Sequence, residues 1–98
     1  MKSSDKRHLL ILLFEHQGGR CCYCNRFVIL SFHRGEQKRP EAATIEHLRQ
    51  RSNGGKDSAG NFAMACRRCN GERGRTDWAS YKSFRMGEIE EYDAALRG

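Results

Sequence analysis

The sequence predicts a small α+β domain, and three observations predict it. A stretch with helical spacing opens the chain, two short β-prone runs flank a glycine-rich loop, and two Cys-x-x-Cys pairs bracket those runs. Ninety-eight residues, 38% of them hydrophobic, suffice for one domain with a modest core, spanning 1–98. Domains of this size commonly need a staple.

The elements follow in order. "SSDKRHLLILLFEHQGG" begins with capping residues, places Leu9, Leu10, Leu13 and Phe14 at helical spacing, and stops at Gly18-Gly19. A helix from about residue 5 to 16 is expected. "RCCYCNRFVIL" gives a cysteine knuckle and a β-prone run, Phe27 to Leu30, and "SFHRGEQKRPEA" reads as a polar loop. "ATIEHL" is a strand, "RQRSNGGKDSAG" a loop marked by Gly54-Gly55 and Gly60, and "NFAMA" the returning strand. "CRRCNGERG" is a second knuckle entering a helical turn, which closes a core at about 43–75. Two helices are expected over about 76–97. The first starts at a Thr/Asp cap and carries Trp78, Tyr81 and Phe84 toward the core with Arg85 nearby; the second is short and acidic.

Cys21, Cys22, Cys24, Cys66 and Cys69 form two tight clusters, an odd number that makes a poor disulfide framework and a good metal framework. Each Cys-x-x-Cys pair can give two thiolates to one ion, and Cys21, Cys24, Cys66 and Cys69 together satisfy a tetrahedral structural Zn²⁺. Buried free thiols are the plain alternative. Four protein ligands leave no position for water, so chemistry must lie elsewhere. Cys22 remains as a spare thiol. The 41 residues between the knuckles exceed a compact zinc-finger gap, so they must fold into something of their own.

The net charge of +6 is unevenly spread: residues 1–87 hold 17 basic and 8 acidic residues. Such a field attracts nucleic acid or an anionic membrane surface. No basic amphipathic helix with a broad apolar face supports the membrane reading, and "LLILLF" is far too short to span a bilayer. No secretory pattern is evident, and a cytoplasmic protein of a bacterial cell or phage is expected. Arg49, Arg51, Lys56, Arg67, Arg68, Arg73 and Arg75 cluster in sequence and are candidate phosphate contacts, although charge runs often only face solvent.

Between the knuckles, "IEHLRQRSNGGKDSAGNFAMACRRCNGERG" (45–74) holds an acid-His pair, a Gly-Gly loop, Asn before an apolar residue, and Cys-x-x-Cys-Asn followed by a basic residue and glycine. The steps are 14 residues from His47 to Asn61 and 9 from Asn61 to Asn70. This segment resembles the HNH nuclease motif of the ββα-metal superfamily, and Cys21 and Cys24 match the upstream knuckle of its zinc-stapled branch. The resemblance implies a ββα-metal domain with flanking helices. The activity it implies is metal-dependent hydrolysis of DNA, leaving 5′-phosphate and 3′-hydroxyl ends.

By that resemblance His47 is the general base, Glu46 and Asn70 are ligands of a catalytic Mg²⁺ or Mn²⁺, and Asn61 holds the loop that aims the histidine. The chemistry is reasonable on its own terms. A neutral imidazole can accept a proton near pH 7, and a hard ion on few protein oxygens keeps sites for phosphate and water. Two departures are visible: glutamate replaces the usual aspartate at 46, and Gln50 stands where proline is frequent. Alternation along a strand would put Glu46 and His47 on opposite faces, so the strand must twist or end there.

Other readings stay open for these residues. His47 alone could be structural, Glu46 could pair with Arg49 or Arg51, Asn61 could be a turn residue, and Asn70 could cap a helix. A non-catalytic, zinc-stapled DNA-binding module, or a component of a larger phage or bacterial DNA-processing complex, are the alternatives to a nuclease. Low sequence specificity is expected, since no separate targeting element is visible.

Overall fold

Gly18 and Gly19 end the first helix by adopting φ of 62° and 74°, a region open to glycine at little cost. The computed structural model describes residues 2–50, 54–55 and 59–97, without the side chains of 59, 89–93 and 97. Its elements are α1 (Ser3–His16), one helical turn α2 (Arg34–Gln37), β1 (Ala43–His47), β2 (Phe62–Cys66), α3 (Arg67–Arg73) and α4 (Trp78–Arg97). A 3₁₀ turn, Ala59–Asn61, leads into β2.

β1 and β2 form an antiparallel pair running from Ala43 opposite Cys66 to His47 opposite Phe62. Because strand side chains alternate, Ala43, Ile45 and His47 share one face with Phe62, Met64 and Cys66. Thr44 and Glu46 share the other with Ala63 and Ala65. Leu10 of α1 joins Met64 in the core, with Ile45 packed against it. α3 meets the opposite face through Asn70 and Arg73. Two short strands with one helix are marginal alone, so neighbouring segments complete them. The Gln17 side chain pairs with both backbone groups of Met64, at 2.8 and 2.9 Å, and Cys22 donates to the same carbonyl. The end of α1 and the first knuckle thereby cover the outer edge of β2.

The β-prone run at 27–30 makes only isolated bridges, Arg20 with Phe27 and Ile29 with Ala42. The polar loop contains the extra turn α2. The expected pair of C-terminal helices is one helix, α4, running through Gly87. A glycine inside a helix costs only about 1 kcal/mol relative to alanine, which is too little to break it. Of the aromatic residues expected in the core, Tyr81 is buried edge-on against Tyr23 at 5.0 Å, whereas Trp78 is 36% and Phe84 60% exposed. The inward stripe of α4 runs from Tyr81 to Arg85, one turn apart, and Phe84 lies off it.

Candidate active site and metal centre

Each knuckle is shaped by backbone donors that point at sulfur. Tyr23 N–H donates to the Cys21 sulfur and Cys69 N–H to the Cys66 sulfur, both at 3.4 Å. In the first knuckle the chain turns back at Asn25, whose φ is 60°. There Cys21 N–H donates to the Arg26 carbonyl. In the second, Cys66 ends β2 and caps α3, so hairpin and helix are joined at a ligand. The four sulfurs of Cys21, Cys24, Cys66 and Cys69 all lie within 4.8 Å of one another, and Cys24 and Cys66 are 3.9 Å apart. Sulfurs at about 2.3 Å from a tetrahedral zinc are about 3.8 Å apart, so the group fits that ion.

The residues around the sulfurs suit the same ion. Arg85 of α4 is buried, and its Nε has no hydrogen-bond partner. Burial disfavours its charge, yet the neighbouring Cys69 and Cys24 sulfurs hold its pKa above the usual arginine value. A zinc held by four thiolates carries a net charge of −2, and a buried guanidinium beside it offsets part of that. Cys22 lies outside the four-sulfur group. The Cys21 sulfur beside it and its own burial push its thiol well up, which keeps it protonated.

The second centre is built around the end of β1. Arg73, at the last turn of α3, reaches back to it: Nη1 donates to the His47 carbonyl at 2.7 Å and Nη2 to the Leu48 carbonyl at 2.7 Å. Nη1 also donates to the Tyr23 hydroxyl at 2.9 Å, and Nε to the Thr76 carbonyl at 2.8 Å. The same Nη1 lies 3.1 Å from Glu46 Oε1, with both side chains at least 92% buried. Arg73 was among the expected DNA contacts, and that expectation is corrected here. Its guanidinium is committed to an internal network that fixes the strand end, so it has no reach to solvent. Glu46 does pair with an arginine, and among the described residues that partner is Arg73.

Glu46 Oε2 is buried with no hydrogen-bond partner. A lone buried carboxylate oxygen is costly unless something occupies its lone pairs, so this oxygen is suited to a cation. Asn70 donates through Nδ2 to Thr44 Oγ1 at 3.0 Å and to the Ile45 carbonyl at 3.5 Å. That commits Nδ2 and leaves Oδ1 as the atom that could accept a metal. Its neighbours place Asn70 on the Glu46 face of the hairpin.

His47 is half-buried on the other face, with its ring edge-on to Phe62 at 4.9 Å. It lines an open cleft of about 670 Å³ between the hairpin and α1, which also holds Lys6, Arg7, Phe32 and Gln37. The strand does not twist at this point as expected: β1 stays in register through His47, Glu46 turns toward α3 and His47 toward the cleft.

Asn61 secures the loop after His47. Its Oδ1 accepts from Arg49 N–H at 2.7 Å, its Nδ2 donates to the Arg49 carbonyl at 2.9 Å, and its own carbonyl accepts from Leu48 N–H at 2.9 Å. The Gly-Gly turn folds onto the same segment. Gly54 has φ of 83°, and a side chain at Gly55 would overlap the Arg49 carbonyl, so both positions require glycine.

Of the remaining expected DNA contacts, Arg49, Arg67, Arg68 and Arg75 are exposed, while Arg51 and Lys56 lie outside the described residues. Arg67 donates to the Gln37 carbonyl, and Arg68 pairs with Glu72 one turn along α3. Sequence reasoning missed the cations of α1 and the buried role of Arg85. Helical spacing put Arg85 on the inner stripe of α4, which was the available signal.

Residues 21–76, more than half of the chain, match the family model of the HNH endonucleases. No curated protein matches the chain. No described helix is long and apolar enough to cross a membrane. The matched segment begins at the first cysteine of the metal group and ends at Thr76, a member of the Arg73 network.

Proposed function

The chain belongs to the HNH endonuclease family, and on that premise we propose that it hydrolyses phosphodiester bonds of DNA, nicking with low sequence specificity as one domain over 1–98. The observation that carries the reading is His47, whose side chain lines an open cleft instead of being sealed in the core. A reacting phosphate needs a base that solvent and substrate can both reach. His47 takes the proton of the attacking water, whose oxygen bonds phosphorus as the P–O bond to the leaving group breaks. Asn61 keeps the Arg49 backbone, and so the segment after His47, in one conformation. Arg49, Arg51, Lys56, Arg67, Arg68 and Arg75 hold the phosphate backbone of the duplex.

Glu46 Oε2 and Asn70 Oδ1 are the atoms that would hold Mg²⁺ or Mn²⁺. When bound, such an ion supplies Lewis-acid stabilisation of the charge that develops on phosphate. Arg73 on Oε1 then leaves the other, buried carboxylate oxygen to the ion. The four-cysteine zinc takes no part in the reaction.

Nicking of supercoiled plasmid by purified protein, with Mg²⁺ or Mn²⁺ and a His47→Ala control, tests this. The parent nicks, and the variant loses about a hundredfold to ten-thousandfold in rate. Cleavage unchanged by the substitution would remove His47 from the mechanism. One observation favours a second reading. The Glu46–Arg73 pair is what a carboxylate with a purely structural role would make, as in a DNA-binding module without activity. Binding without cleavage in every metal would favour that module.

A further inference from the structure

We propose that α1, which precedes the family segment, forms the second wall of the substrate cleft and grips the DNA backbone through Lys6 and Arg7. The inference rests on the nuclease reading only for the identity of the ligand. Lys6 and Arg7 lie one after the other on α1 and face, across the cleft, the strand end that carries His47 and Phe62. Both are exposed, and the described lining holds these two cations and no carboxylate. The Arg7 guanidinium sits 5.2 Å from the centre of the Phe32 ring, a contact that restrains a long side chain beside the cleft.

The placement of α1 is also fixed. Leu10 is in the core, and Gln17 is hydrogen-bonded to the edge of β2 at Met64. A helix held at both points cannot swing away, so its two cations keep their station opposite His47. A basic, acid-free wall facing the proposed base fits a phosphodiester backbone better than it fits a protein or a neutral ligand. Backbone contacts of this kind hold register on the duplex and read no sequence, in keeping with low specificity.

The test is binding of a fluorescently labelled 24-base-pair duplex by the zinc-loaded full chain, without Mg²⁺ or Mn²⁺, over a series of salt concentrations. The Lys6→Gln/Arg7→Gln variant is compared with the parent and with the charge-preserving Lys6→Arg/Arg7→Lys variant. A control pair, Arg26→Gln/Lys82→Gln, removes two exposed charges from outside the cleft. Two lost phosphate contacts lower the slope of log affinity against log salt by about 1.8 and weaken binding about tenfold. The charge-preserving variant keeps the parent slope, and the control pair changes it less.

A parent-like slope in Lys6→Gln/Arg7→Gln would overturn the proposal, as would an equal loss in the control pair. A parent that fails to bind the duplex would overturn it together with the nuclease reading. Loss of binding in this variant alongside a parent that binds but never nicks would uphold the grip while removing the activity. Equal melting temperatures across the variants exclude misfolding as the cause.

Discussion

The two centres of this domain are neighbours built in opposite ways. At the four-cysteine group every functional atom converges, with all sulfurs within 4.8 Å and a cation, Arg85, seated beside them. At the end of β1 the functional atoms diverge: Glu46 is turned inward onto Arg73, and His47 outward into the cleft. The first centre is closed and the second is open on one side. A closed site stores folding energy, and an open one admits a substrate. The two share a framework, because α3 carries Cys69, Asn70 and Arg73 within one and a half turns, and Tyr23 sits between Cys22 and Cys24 while bonding Arg73.

The largest effect that can break this contrast is removal of the zinc that the four sulfurs fit. Because binding free energy at such sites is folding free energy, on the order of 10 kcal/mol, chelation or Cys66→Ser unfolds the domain cooperatively. Circular dichroism during chelator titration reads this out; a protein that keeps its helices after losing the ion would mean that the core stands without the clamp.

Next comes Arg73→Met, which leaves the Glu46 carboxylate buried and unpaired. A cost of about 3–5 kcal/mol is expected, measured by urea denaturation. Adding Glu46→Gln recovers part of it. A loss of DNA affinity without loss of stability would contradict the internal role assigned to Arg73.

Arg85→Leu should have a smaller effect and one confined to the closed centre. Zinc affinity falls about tenfold to a hundredfold in a competition titration with a chromogenic chelator, as for loss of other groups that support metal ligands. The hairpin and the His47 cleft are untouched. An unchanged affinity would mean that Arg85 is present for its packing and its bond to Glu88 alone.

The difference between the centres also explains what could be read from the chain. Two Cys-x-x-Cys pairs carry their own geometry, because two residues of spacing already bring a pair of sulfurs to one ion. The hairpin was legible for a similar reason: "ATIEH" and "FAMAC" are short, β-prone and separated by glycines. The Arg73 network was not legible, since an arginine in a basic run looks the same whether it ends in solvent or against a buried carboxylate. Only the packing of α3 on the Glu46 face decides that. Pocket walls are equally hidden, because Lys6 and Arg7 are 40 residues or more from His47 in the chain. The two expected C-terminal helices became one because a single glycine weakens a helix without ending it.

The proposed division of labour between a clamping ion and a reacting histidine is tested most directly by exchanging the metal in the cysteine group. Protein prepared with Cd²⁺ in place of Zn²⁺, verified by mass spectrometry, should nick plasmid in Mg²⁺ at the rate of the zinc form and lose that activity on His47→Ala. A rate that follows the identity of the thiolate-bound metal, in protein that melts normally, would contradict the account.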